Sequence, residues 1–420
     1  MSTLTKPPYA STSISELSFW AQAPEDREPV FQRLRDEMPV SWQRPPEGNA
    51  SPPVDGDGYW AVVRHSDIEA VSRTPATFCS GKGVAFDDVP EELSRRWFSF
   101  LAMDPPEHTR IRRAVQSVFT PRAILRIEEI MRGRAIGVVD ALIERGPCDF
   151  VEHVANALPM WISSEMMGVP ESARTGLIAA ANTMIGKLDP MYAGEMGPLE
   201  ALTRALEHME NVGRDLAAYR RKTPGDDLMT KLVEAESEGR RLAEDEVVAA
   251  FCVLTVAGTE TTRNTTSLAM KALTDFPDQR ALLIEDYDGR IKPAIEEFLR
   301  WATPILNIRR TATRDTILHD VEIAEGDKVM IFYSSGNRDD RVYDDPYSFD
   351  ITREHNPHLS FGGPGVHYCI GSNLARGTLR SILRELLQRV PDIAVHDPQY
   401  LVSNAVNSVV QMPCTFSRTK

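Results

Sequence analysis

The segment from Pro106 to about Phe276 reads as mainly helical, with breaks near Pro121, Gly146-Pro147, Pro159, Gly168 to Pro170, Pro190 and Pro224-Gly225. Its longest apolar run, Val247 to Gly258, lies inside a helix predicted over 245–275. At 1.5 Å per residue such a helix is about 45 Å long and crosses a domain. The preceding third is mixed. A helix is predicted over Pro29 to Glu37, and Tyr59-Trp-Ala-Val-Val63 has strand composition. His65-Ser66-Asp67 offers caps for a helix through Ile68 to Val71. Cys79 to Pro106, broken by Gly81, Gly83, Pro90, Pro105 and Pro106, reads as a long loop of the kind that carries function. After Trp301 strand-like runs return at Thr316 to Leu318 and Lys328 to Phe332, and a last helix runs from Ser372 to Val390, stopping before Pro391. The pattern predicts a mainly α chain with a minor β part.

Composition narrows the class. The chain has 420 residues, 42% hydrophobic and 26% charged, an ordinary globular balance. No linker, repeat or low-complexity block divides it. The expectation is one large domain over 14–420 behind a mobile Ser/Thr/Pro-rich tail over 1–13, with a core large enough to enclose a cofactor. The longest apolar run is well short of the roughly 20 residues of a membrane span, and no signal peptide is evident. Five scattered cysteines without repeated spacing argue for a reducing compartment and against a disulfide frame. A cytoplasmic location is expected. The net charge of −14 disfavours nucleic acid as a partner and makes polybasic membrane attachment unexpected.

Four motifs carry candidate chemistry. In Phe361-Gly-Gly-Pro-Gly365-Val-His367-Tyr-Cys369-Ile-Gly371, glycines and a proline make an irregular loop immediately before a helix start. Unpaired N–H groups there carry partial positive charge and push a cysteine toward thiolate. Such a sulfur suits an axial ligand of haem iron. In Ala257-Gly258-Thr259-Glu260-Thr261-Thr262, a mid-helix glycine costs about 1 kcal/mol against alanine, and threonines can bond backward and open the ladder. Glu297 and Arg300 are i and i+3, in reach of each other; the bland alternative is a surface ion pair. In Met103-Asp-Pro-Pro-Glu-His108-Thr-Arg-Ile-Arg112, two prolines preset a helix start, and His108 and Arg112 share a face that suits a carboxylate.

The cysteine loop resembles the haem-binding signature of the cytochrome P-450 family, haem–thiolate monooxygenases, with one extra residue between Phe361 and Cys369. The resemblance runs from about Phe31 to about Phe416 and includes Asn337-Arg-Asp339. It implies the family's fold, with haem b between the long helix and the cysteine loop. It implies Cys369 as iron ligand, Phe361 and His367 in the cofactor-binding loop, and Ala257 and Gly258 over the ring. Glu260 and Thr261 resemble the acid–alcohol pair that delivers protons, Glu260 exchanging them with solvent. His108, Arg112, Arg310 and His367 resemble the propionate partners, with Arg309 a competitor for the role of Arg310. Glu297 and Arg300, completed by Arg353, resemble a buried structural pair behind the loop. Expected pocket walls are Phe86, Phe100, Leu101, Val253, Val256, Ala257, Ile305, Leu306 and Ile308, with Val406 to Val410 adding a turn.

The activity implied is hydroxylation of an unactivated C–H bond of a hydrophobic substrate with dioxygen and two electrons. No Gly-rich dinucleotide loop follows a strand, so NAD(P)H electrons are expected through a separate ferredoxin reductase and ferredoxin. Arg113, Arg122, Arg376 and Arg380 are candidates for a local basic docking face. The lengthened loop and Ser403-Asn-Ala-Val-Asn407 resemble actinobacterial enzymes acting on steroid side chains, methyl-branched lipids or isoprenoids. A macrolide or terpenoid hydroxylase of secondary metabolism is the alternative, followed by a peroxide-driven enzyme, which Glu260-Thr261 disfavours, and a non-catalytic haem protein.

Overall fold

A computed structural model describes residues 5–47, 57–117, 121–237 and 239–417, with only the backbone described for 121–126 and 237. Helices dominate, and two of them parallel the sequence pattern closely. The central helix spans Glu244–Asp275 and the helix after the cysteine loop spans Ser372–Arg389. The central helix runs between two apolar cores. Val247, Phe251 and Val256 pack with the helices Glu171–Ile185 and Pro198–Lys222. Leu268, Met270 and Leu273 pack with Tyr287–Ala302 and Ser372–Arg389. Between these ends the helix is hydroxyl-rich.

A five-stranded sheet forms the minor part, in the order Val40–Gln43, Tyr59–Val62, Lys328–Phe332, Asn307–Ala312, Phe78–Cys79. The Tyr59–Val62 and Lys328–Phe332 pair is parallel and the others antiparallel. Both faces are covered, one by Ile68 and Leu359 and the other by Trp20, Phe31 and Phe86.

Three local expectations are corrected. Residues 6–13 are not a loose tail: Tyr9 stacks on Trp42 at 6.4 Å, the Ala10 N–H donates to Trp42 O at 2.8 Å, and Lys6 pairs with Asp327. The helix His65–Arg73 has no side-chain cap of its own; Asp339 supplies one from a distance, accepting from the His65 N–H at 2.9 Å. The segment 79–106 contains a helix, Glu91–Phe98, and a 3-10 turn, Ser99–Ala102, because Leu93, Trp97 and Phe100 face the core beside the central helix.

Candidate active site

The cysteine loop is fixed from behind. Glu297 and Arg300 are fully buried and joined twice, Nε to Oε2 at 2.7 Å and Nη2 to Oε1 at 2.6 Å. The remaining Arg300 protons go to the carbonyls of Asn337, Pro346 and Ser348. Glu297 also accepts from the Asp350 N–H and Asn356 Nδ2, and Arg353 approaches it to 3.6 Å. The surface-pair alternative is therefore excluded for this motif. From this block, Asn337 accepts from the Leu359 N–H at 2.7 Å and donates to Ser360 Oγ, which donates in turn to Leu299 O. Glu296, next along the helix, holds Arg376 with two bonds of 2.7 Å and His358 with one of 3.0 Å.

The loop then closes on itself, the Cys369 N–H donating to Phe361 O at 2.9 Å. Gly365 has φ +145° against the helix His65–Arg73, where a Cβ would collide with the Ser72 carbonyl. Only glycine allows that approach. Burial pushes the Cys369 thiol above its ordinary value, while the Gly371 N–H, Arg112 and Arg376 pull it down. The helix start alone does not make a thiolate here; binding a metal would release the proton. Among the described residues no three His, Cys, Asp or Glu side chains gather around one point.

In front of the loop four cationic or donor side chains converge. The His108 and His367 rings stand 4.3 Å apart. Arg112 donates to the Tyr368 carbonyl within the loop. Arg310 is buried on the strand Asn307–Ala312, and its charge and that of Arg112 act on both histidines. Burial, with these cations, drives His108 down to about 4 and His367 to about 2, so both rings are neutral at pH 7. Strand alternation sends Arg309 to the opposite face, where it meets Asp88 at 2.8 Å. Of the two arginines, it is Arg310 whose charge acts on His108 and His367. Both nitrogens of His108 and Nδ1 of His367 are buried with no hydrogen-bond partner, while His367 Nε2 meets Ser80 Oγ at 3.0 Å. The acidic neighbour Asp104 is occupied by the Ser80 and Gly81 N–H groups. A dianionic ligand with carboxylates fits this set of donors.

The central helix supplies another wall. Ala257 and Gly258 are exposed although Thr255, Val256, Thr259 and Glu260 around them are buried. A Cβ on Gly258 would meet only Ser163 Oγ, at 3.8 Å. The helical ladder is not opened as the threonines suggested. Thr255, Thr259, Thr261, Thr265 and Thr266 each donate to the carbonyl four residues back, Thr261 to Ala257 O at 2.8 Å. Glu260 does not face solvent. It is 2% exposed and receives Arg263 Nη2 at 2.5 Å. Burial pushes its carboxyl up and Arg263 opposes that. Arg263 also reaches Ser408 at 2.9 Å and Asn182 at 3.3 Å, tying three elements together. Neither Arg263 nor Asn182 was singled out from the sequence, although Glu260-Thr-Thr-Arg263 repeats the spacing of Glu297-Phe-Leu-Arg300.

The expected pocket residues divide. Phe100 lies 6.4 Å from the His108 ring, and Leu101, Val253 and Val256 pack in the same core. Ile305 bridges to Val406, which brings the C-terminal turn over the central helix, where the Val409 N–H meets Asn264. Phe86 and Leu306 lie in a different core, against the sheet: Phe86 packs on Tyr59 at 5.0 Å and on Trp20 and Phe332 at 5.9 Å. Ile308 packs against the sheet. Of the basic docking candidates, Arg376 is committed to Glu296, and the side chain of Arg122 lies outside the described residues.

Comparison with known proteins agrees with this geometry. Residues 97–391 match the family model described as cytochrome P-450. The chain is 36% identical to the methyl-branched lipid omega-hydroxylase of Mycobacterium tuberculosis over 98% of its length and 96% of the relative. It is 37% identical to the steroid C26-monooxygenase of Mycolicibacterium smegmatis over 90% of its length and 87% of the relative. A Mycobacterium marinum cytochrome P-450 solved in complex with pseudoionone superposes with a TM-score of 0.95 at 46% identity, covering 98% of this chain and all of that one. The fold, the cysteine loop and these matches define a cytochrome P-450 monooxygenase. The chain belongs to that family, which uses a haem iron cofactor. No helix among the described residues is long and apolar enough to cross a membrane.

Proposed function

We propose that the chain hydroxylates a terminal methyl or nearby C–H bond of a methyl-branched or isoprenoid lipid, using haem b held through Cys369 Sγ. The observation that carries the cofactor assignment is the convergence of the buried His108 and Arg310 with the half-buried Arg112 and His367, where both His108 nitrogens and His367 Nδ1 lack a partner. Two propionates would satisfy it. Bound haem would supply the chemistry that activates dioxygen, one atom of which goes to carbon and the other to water. Phe361 O holds the Cys369 backbone N–H, and the Gly371 N–H favours the charged form of the sulfur. Ala257 and Gly258 leave room over the ring. Thr261 Oγ1, held by Ala257 O, is placed to relay a proton through water, and the buried Glu260 carboxyl, poised between its own burial and Arg263, is the proton reservoir. NAD(P)H electrons would arrive through a separate reductase and ferredoxin.

The substrate reading rests on the relatives named above and on the apolar residues Leu101, Val253 and Val256 packed together beside the central helix, which offer few polar handles. The haem-loaded protein titrated with methyl-branched fatty acids, acyclic isoprenoids and steroids should show the spectral shift of substrate binding most strongly with the first two. With electron donors, those ligands should give terminal alcohols. A response confined to macrolides or rigid polycycles would overturn the substrate reading. Thr261→Ala should release more peroxide per electron consumed; unchanged coupling would remove the relay.

A further inference from the structure

A second chemically competent pair lies away from the haem site. Cys148 and Cys414 are direct partners in the antiparallel pairing of Cys148–Asp149 with Pro413–Thr415. Their sulfurs are 4.0 Å apart. Partners in such a ladder have Cα atoms about 4.5–5.5 Å apart, within the span a disulfide bridges. Side-chain rotation suffices to bring the sulfurs together. Among the described residues no other two cysteine sulfurs touch. Cys148 is partly exposed and Cys414 is 2% exposed, so a small oxidant reaches Cys148 first.

We infer that Cys148 and Cys414 are a reversible oxidation site, closing a cross-strand disulfide when the chain meets a peroxide. The Cys148 sulfur attacks the peroxide O–O bond, becoming a sulfenic acid and releasing water. The Cys414 sulfur then displaces the hydroxyl as a second water, forming the S–S bond. Two thiols lose two protons and two electrons, and hydrogen peroxide gains both to become two waters. Burial, the Cys414 thiol and Asp149 push the Cys148 thiol up to about 12 against the pull of Arg145. Little thiolate is therefore present at neutral pH, and the site responds to sustained oxidant rather than to a brief pulse.

The bridge would staple the loop after the helix Pro121–Arg145 to the middle strand of the sheet Ala394–Val395, Pro413–Thr415, Cys148–Asp149. It closes a loop across 266 positions. The chain leading into that strand carries Ser408, which holds Arg263, and Val409, which binds Asn264 of the central helix. Oxidation therefore ties down the C-terminal arm that contacts Arg263 and Asn264 of the central helix.

The test uses the full haem-loaded chain exposed to hydrogen peroxide, alkylated and mapped without reduction. Met191, 66% exposed, serves as the internal dosimeter through its sulfoxide. The expected result is one joined species linking the peptides of Cys148 and Cys414, lighter by two hydrogens and separated by dithiothreitol. The bridged protein should melt several degrees higher, reversibly. Cys414→Ser should leave Cys148 as a trappable sulfenic acid, whereas Cys148→Ser should leave Cys414 unmodified. Full conversion of Met191 with both thiols still alkylatable would overturn the inference. So would oxidation of Cys148 to sulfinic acid without bridging.

Discussion

Two buried charged clusters stand on either side of the cysteine loop, and they are balanced in opposite ways. Behind the loop, Glu297 and Arg300 are matched group for group: two direct bonds join them, three carbonyls take the remaining arginine protons, and the carboxylate is filled by Asp350 and Asn356. In front of it, His108, His367, Arg112 and Arg310 press against one another, with three of the four ring nitrogens unpartnered and both histidines forced neutral. Burying polar groups is tolerable only when they are paired. The first cluster is complete within the chain, so it serves the fold. The second leaves both His108 nitrogens and His367 Nδ1 without a partner, which is why we assign it to an anionic ligand.

Breaking the complete cluster should have the largest effect. Arg300→Met leaves the Glu297 carboxylate buried without its main partner, and such single removals cost about 3–5 kcal/mol. Little folded protein should accumulate, and thermal melting of what remains should fall steeply whether or not haem is present. A variant of near-normal stability would show that the pair is not the frame behind the loop.

The incomplete cluster should respond with the opposite sign in the haem-free chain. Arg310→Met removes a buried cation from beside Arg112 and two histidines, so the haem-free protein should melt at the same temperature or slightly higher. The haem-loaded protein should lose its cofactor faster to a scavenging apoprotein. A charge-assisted bond of about 1.5–3 kcal/mol corresponds to roughly tenfold to a hundredfold. Arg309→Met is the control: its charge is spent on Asp88, so haem retention should hold while stability drops modestly. Equal haem loss in both variants would dissolve the distinction between the two strand faces.

The comparison also marks what the sequence could reveal. Helix ends came within a residue where apolar periodicity is strong, as at Glu244–Asp275, because local burial alone dictates them. The four motifs were legible because each is short and self-contained. Arg263 was not. Its spacing from Glu260 equals that of Arg300 from Glu297, but its meaning depends on Asn182 and Ser408 arriving from other parts of the chain. Phe86 looked like a loop aromatic available to a ligand, until Trp20, Tyr59 and Phe332 enclosed it. The cysteines at 148 and 414 showed no related spacing, since only the strand register makes them neighbours. Tertiary partners are the part that periodicity does not encode.

The smallest effect separates the frame from the loop it carries. Glu296 neighbours Glu297 but is less enclosed, its side chain 29% exposed, and it clamps Arg376 and His358 of the loop region. Burial alone would raise its carboxyl, yet the bonds from Arg376 and His358 outweigh this and bring it from 4.5 to about 2. A carboxyl depressed in the folded state stabilises fully above its unfolded value and loses that contribution as pH falls through the folded one. The clamp should therefore be intact at neutral pH and fade between pH 4.5 and about 2. Because the pair is partly solvated, the stake is about 1 kcal/mol. Melting of the wild type against Glu296→Gln should show a gap of a few degrees at pH 6 that closes on acidification. A gap that persists unchanged down to the point of acid unfolding would mean that the clamp acts through shape and not through charge.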